Sequence, residues 1–184
     1  MSDIYQERYL AHQNRKKEML TPNFKGKHKK HVGSPKFFDV IKARKSVRVF
    51  SGEPIPIPTL ATLKTMAQFA PSSCDRHGVT TKFVESRQTK SILSGLLVGG
   101  VGWIHRADVI ILLIGDKNAY KSPNEREFMH YLDAGVLAQH IMLVAEALNV
   151  ATCFVNPNVN AGISLEDNEI FCGAIALGNH VNSC

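Results

Sequence analysis

Ala107-Asp108-Val109-Ile110-Ile111-Leu112-Leu113-Ile114-Gly115-Asp116 is the stretch around which the rest of the chain arranges itself. Its unbroken aliphatic run, bounded by aspartate and glycine, reads as a strand. Downstream, Tyr131-Leu132-Asp133-Ala134-Gly135-Val136-Leu137-Ala138-Gln139-His140 opens a long helix, expected from about Glu125 to Leu148. Beyond Leu132 that helix is apolar nearly all round, so it is buried on more than one side, in the core or between subunits. It runs into a strand at Ala151–Asn156, and a last strand closes on Ile175-Ala176-Leu177-Gly178. Upstream, Thr81–Glu85 reads as a strand and Thr89–Leu97 as a short helix. The glycine-rich Val98–Trp103 that follows reads as a flexible loop; it lacks the Lys-Ser/Thr ending of a nucleotide P-loop. Leu60, Leu63, Met66, Ala67 and Ala70 recur at helical spacing from Thr59 until Pro71 stops them, while Pro54-Ile55-Pro56-Ile57-Pro58 forbids helix. Phe37, Phe38 and Ile41 give a short helix one apolar face. Strands and helices alternating around a central buried helix predict an α+β layered domain. No internal repeat interrupts it.

The 184 residues suffice for one domain with a proper core. The net charge of +6 is confined to one end: residues 1–36 hold nine Lys/Arg against three Asp/Glu, whereas residues 37–184 hold thirteen of each. We therefore divide the chain into a basic extension, 1–36, and a folded domain, 37–184. Residues 3–20 are expected to form a polar helix and 22–35 a linker. A polyanion such as nucleic acid is one partner such an extension could meet; a solvated or partner-draped arm is the other, and the few aromatics (Tyr5, Tyr9, Phe24) offer little for stacking on bases. Cys74, Cys153, Cys172 and Cys184 show neither CxxC pairing nor metal-ligand spacing, so no metal site is expected and reduced thiols are. No stretch is apolar and long enough to span a bilayer and the N-terminus lacks a signal-peptide core, so a cytoplasmic protein without a membrane partner is expected.

Two segments carry chemistry. Ala43-Arg44-Lys45-Ser46-Val47-Arg48-Val49-Phe50 packs three cations and a hydroxyl into five residues, an anion receptor able to give a phosphate charge-assisted bonds of about 1.5–3 kcal/mol each. Ala70-Pro71-Ser72-Ser73-Cys74-Asp75-Arg76 places a Pro-Ser-Ser turn where a helix must stop, offering donors and acceptors to a flat ligand. These segments, with the order of strands and helices from about Phe37 to Gly178, resemble the nitroreductase family. The resemblance implies a mostly antiparallel sheet flanked by helices, a homodimer with FMN at the subunit interface, and hydride transfer from NAD(P)H to a nitroaromatic, quinone or similar planar acceptor. It implies that Arg44, Lys45, Ser46 and Arg48 hold the FMN phosphate and ribityl chain, that Pro71, Ser72, Ser73 and Asp75 face the flavin, and that the Asn156 N–H reaches its reactive edge. No side chain stands out as catalytic acid or base.

Three departures from the family pattern bear on that expectation. Asp75 stands where the family has Asn, and His77-Gly78-Val79 replaces Gln-Pro-Trp; an ionised Asp accepts but cannot donate. Residue 157 is proline and has no N–H to give beside Asn156. After Gly178 the sequence given holds no Lys or Arg, leaving His180 or the Arg44–Arg48 segment to meet the phosphate. They keep two other readings open: a degenerate member that binds flavin or a phosphorylated ligand without turnover, and a polyanion-binding dimer that uses the basic arm.

Overall fold

The computed structural model describes residues 35–159 and 165–181. Among the described residues four α-helices and four strands follow in the order α1 (Pro35–Ala43), α2 (Ile57–Ala67), β1 (Val79–Val84), α3 (Arg87–Leu96), β2 (Val109–Asp116), α4 (Pro123–Ala147), β3 (Val150–Val155) and β4 (Glu169–Asn179). The strands form one antiparallel sheet in the order β1-β2-β4-β3. The α+β layered architecture expected from the sequence is the one observed, and no described helix is long and apolar enough to cross a membrane. The expected polar helix at 3–20 and linker at 22–35 lie outside the described residues.

The aliphatic run of β2 is explained by cover on both of its faces. Because side chains alternate along a strand, Val109, Ile111 and Leu113 enter one core with Leu60, Leu63, Leu137 and Ile141 of α2 and α4. Ile110, Leu112 and Ile114 enter a second core with Leu93 and Leu97 at the end of α3, Ile104 and Phe171. Between Leu113 and Ile114 the register with β4 shifts by one residue, which makes Cys172 the extra residue of a bulge. Next to it Gly173 has φ +131°, and a Cβ there would sit 2.9 Å from the Val155 carbonyl oxygen; only glycine fits.

Two expectations need correction. α2 begins at Ile57, so Pro58 lies inside its first turn, where the missing N–H has no intrahelical partner to lose. Val98–Trp103 is not a loose loop: Val98–Gly100 is a 3₁₀ turn, Val98 N–H donates to the Asn158 carbonyl at 3.1 Å, and Gly100 is buried under Ile104.

α4 has two different sides. Asp133, Ala134, Leu137, Ala138, Ile141 and Ala145 are buried, while Phe128, Tyr131, Leu132 and Val136 form an exposed apolar strip on one face. Its start is fixed by a capping box in which Ser122 and Glu125 bond each other's backbone N–H.

His130, on the same helix, is 1% exposed, and neither ring nitrogen has a partner among the described residues. Burial, with the nearby Lys117 charge, lowers its pKa. Above the unfolded value of about 6.5 both states are neutral and the site costs nothing in protons. As pH falls below it, the unfolded chain takes a proton that the native site refuses, so stability declines by up to about 1.4 kcal/mol per pH unit. His130→Phe is expected to remove that part of the decline. Urea unfolding of both proteins at pH 8 and pH 5.5 measures it, and parallel losses in the two proteins would assign the decline to other groups.

Candidate flavin site

The Ala43–Phe50 segment leaves α1 extended and lies beside β3: Ser46 bridges Thr152 in parallel, and Val47 N–H donates to the Thr152 carbonyl at 2.9 Å. An extended chain sends alternate side chains to opposite sides, and this sorts the four candidates. Arg44, Ser46 and Arg48 surround the buried Cys153 of β3. Burial raises the thiol's pKa, against the pull of Arg48, a hydrogen bond with the Ser46 hydroxyl, and Arg44. Lys45 goes the other way, into a cleft of about 570 Å³ lined also by Asp39, Lys42, Glu146 and His180. His180, a candidate stand-in for a C-terminal cation, therefore shares a cleft with Lys45 and not with the two arginines.

Arg48 extends this surface toward the glycine turn. Its guanidinium lies 5.8 Å from the centre of the Trp103 ring, whose indole N–H donates to the Gly99 carbonyl at 3.0 Å. A Cβ on Gly99 would stand 3.3 Å from Val155 and 3.7 Å from the Asn156 side-chain oxygen. Asn156 Oδ1 in turn accepts from the Asn158 N–H at 3.3 Å. Arg44, Ser46, Arg48, Trp103, Gly99 and Asn156 thus form one continuous wall. Trp103 is the link that joins the basic segment to the turn after β3. Neither arginine has a carboxylate within 4.0 Å among the described residues, so their charge is available to an anion.

The Pro71–His77 turn is built elsewhere on the chain. Asp133, 5% exposed, accepts from Ser73 N–H at 3.0 Å and Ser73 Oγ–H at 2.7 Å through Oδ1, and from the Tyr120 hydroxyl at 2.9 Å through Oδ2. Burial, together with that bond and the carboxylate's charge, raises the Tyr120 phenol's pKa, so it stays a donor. Ser72 Oγ accepts from His77 N–H at 2.9 Å, and Arg76 pairs with Glu125 at 3.3 Å. Cys74, Asp75 and His77 have φ of 52°, 56° and 48°, a left-handed run costly for residues with a Cβ. The Asp75 carboxylate is exposed and lies 2.9 Å from His77 Nε2. Pro71, Ser72 and His77 line a cavity of about 650 Å³ with Thr81, Phe83 and Leu137, within the range of small-molecule sites.

Ser73 and Asp133 are thus tied together, a partnership that sequence spacing did not reveal. The two candidate segments are not: they line different cavities, and no hydrogen bond or ion pair among the described residues joins them.

The sequence model of the nitroreductase family matches residues 96–178, which hold the Trp103 turn, β2, α4, β3 and most of β4. Over that stretch, a little under half of its length, the chain resembles the family at a distance. A Bacillus subtilis relative named FMN reductase [NAD(P)H] is 28% identical over 131 residues, 62% of this chain and 52% of the relative. The chain therefore spans about half the length of the curated relative it matches. Among solved structures, a nitroreductase family protein from Clostridium difficile 630 superposes with TM-score 0.69 at 22% identity, over 79% of this chain and 84% of that one. Nitroreductase A from Vibrio parahaemolyticus gives 0.70 at 22% identity, over 80% and 68%. At that identity the two structures establish the fold of this chain and nothing beyond it.

Proposed function

We propose that the chain is an FMN-dependent oxidoreductase acting as a homodimer, taking hydride from NAD(P)H and passing electrons to a nitroaromatic, quinone or similar planar acceptor. The wall of Arg44, Ser46, Arg48, Trp103, Gly99 and Asn156 carries this reading, because its two arginines hold charge that no carboxylate among the described residues meets, beside the turn after β3. Those donors fit the phosphate and ribityl end of FMN; at the ring edge Asn156 has an N–H and Pro157 has none. When bound, FMN supplies the two-electron chemistry. The protein's part is to hold the phosphate through Arg44 and Arg48, present Ser46 to the chain, and bring the Pro71–Asp75 turn to the ring. Lys45 adds field rather than contact. The name of the Bacillus subtilis relative supports the cofactor and the nicotinamide donor.

Because no hydrogen bond or ion pair among the described residues joins the turn to the wall, we place each flavin between two copies, one giving the wall and the other the turn. The exposed strip Phe128, Tyr131, Leu132 and Val136 on α4 is the surface that would close that dimer. In this reading residues 1–36 are an extension to the 37–184 catalytic domain, and the protein is cytoplasmic, where NAD(P)H is at hand. Mixing two variants tests the shared site. Arg44→Ala/Arg48→Ala and Ser72→Ala/Ser73→Ala should each bind FMN poorly, and their unfolded and co-refolded mixture should regain about a quarter of the sites, since each heterodimer rebuilds one. No regain would place both segments at one copy's flavin and refute the shared site. The missing donor at Pro157 favours one second reading, a flavin binder without turnover; NAD(P)H would then leave bound FMN oxidised.

A further inference from the structure

On another part of the domain, Phe50, Gly52, Arg87, Lys90, His105, Arg106 and Asp108 surround a pocket of about 190 Å³ that also touches Glu53. Lys90 is 8% exposed, and its ammonium donates to the carbonyl oxygens of Ala107 at 2.9 Å and Asp108 at 2.6 Å. An ammonium has three donors, and among the described residues the third meets no acceptor. No carboxylate lies within 4.0 Å of Lys90, Arg87 or Arg106 among the described residues. A cation so deeply buried without an opposite charge is costly. His105 adds a fourth nitrogen group, its Nδ1 3.4 Å from the Ser94 hydroxyl.

Two carboxylates line the same pocket. Asp108 Oδ2 accepts from the Ile55 N–H at 2.7 Å, so three cations line the pocket against two carboxylates, one of them held by a backbone donor. The Gly52 turn, at φ +84°, has nothing within 4 Å of where a Cβ would stand, so the pocket is open on that side. A single tetrahedral oxyanion is a few water volumes in size and fits the space. The Arg87 and Arg106 guanidiniums in the lining are suited to bidentate bonds with such an anion, and the Lys90 ammonium to a point-charge contact.

We propose that this pocket binds a phosphate group, free or carried by a small metabolite, separately from the flavin wall. None of its residues belongs to that wall, so the site stands whether or not the chain reduces flavin. The test is titration of the full chain with inorganic phosphate, against chloride at matched ionic strength, followed by calorimetry and by the ring signals of His105 assigned through His105→Gln. Saturable binding that shifts the His105 signals is expected. Arg87→Gln/Arg106→Gln, both on exposed side chains, should weaken it by about tenfold or more, while FMN uptake stays unchanged. Titration with AMP separates the sources: tighter binding than inorganic phosphate, lost in the same variant, assigns the phosphate to a nucleotide, and weaker binding assigns it to the free ion. Phosphate binding that disappears in Arg44→Ala/Arg48→Ala but survives Arg87→Gln/Arg106→Gln would overturn the proposal, as would no saturable binding at all.

Discussion

Asp133→Ala is expected to destabilise the protein by about 3–5 kcal/mol, among the largest losses any single side chain here can cause. Asp133 is the common acceptor for the Ser73 N–H, the Ser73 hydroxyl and the Tyr120 hydroxyl. Removing it strands three donors in a site 5% exposed, at about 1–3 kcal/mol for each that stays unmet. Asp133→Asn keeps the volume and one acceptor oxygen but turns an N–H₂ toward a phenol that must then accept, so about 1–2 kcal/mol is expected. Urea denaturation of the three proteins gives the order wild type, Asn, Ala. An alanine variant within about 1 kcal/mol of wild type would mean that water replaces the carboxylate and that the turn is not held from α4.

Arg44→Ala/Arg48→Ala should abolish FMN binding at micromolar concentrations while leaving the fold intact, since neither guanidinium is bonded to a carboxylate within the described chain. Each arginine contributes a charge-assisted interaction, so each loss weakens binding by roughly tenfold to a hundredfold. Lys45→Ala is the informative control. Its side chain lines the cleft with Glu146 and His180, so a change of no more than about threefold is expected from its longer-range field. Flavin fluorescence quenching measures all three constants. A Lys45 variant as weak as the double arginine variant would refute the sorting of these side chains by strand alternation.

The fold was readable where hydrophobic pattern dominates. The aliphatic β2, the helical spacing of Leu60, Leu63 and Ala67, and the length of α4 announce their elements because each answers to the two cores on either side of the sheet. The start of β4 was not readable: its early residues carry a bulge at Cys172 and Gly173, and a bulge breaks the period of two on which a strand is recognised. For the site, composition located the basic segment and the Pro-Ser-Ser turn, but not which side chains act together. Lys45 falls out of the group because the segment is extended beside β3, a long-range pairing that a five-residue motif cannot display. Trp103 joins the wall through one hydrogen bond to Gly99 and one cation–π contact with Arg48, both invisible in spacing. Asp133 lay within a helix read as apolar; its partner Ser73 is sixty residues away.

The most direct test of the flavin oxidoreductase assignment is the visible spectrum of the purified protein reconstituted with FMN, recorded without oxygen before and after NADH or NADPH. Bound-flavin bands that bleach with one of the nicotinamides are predicted. Bands that persist under both, or no bound flavin even with FMN in excess, would contradict the assignment.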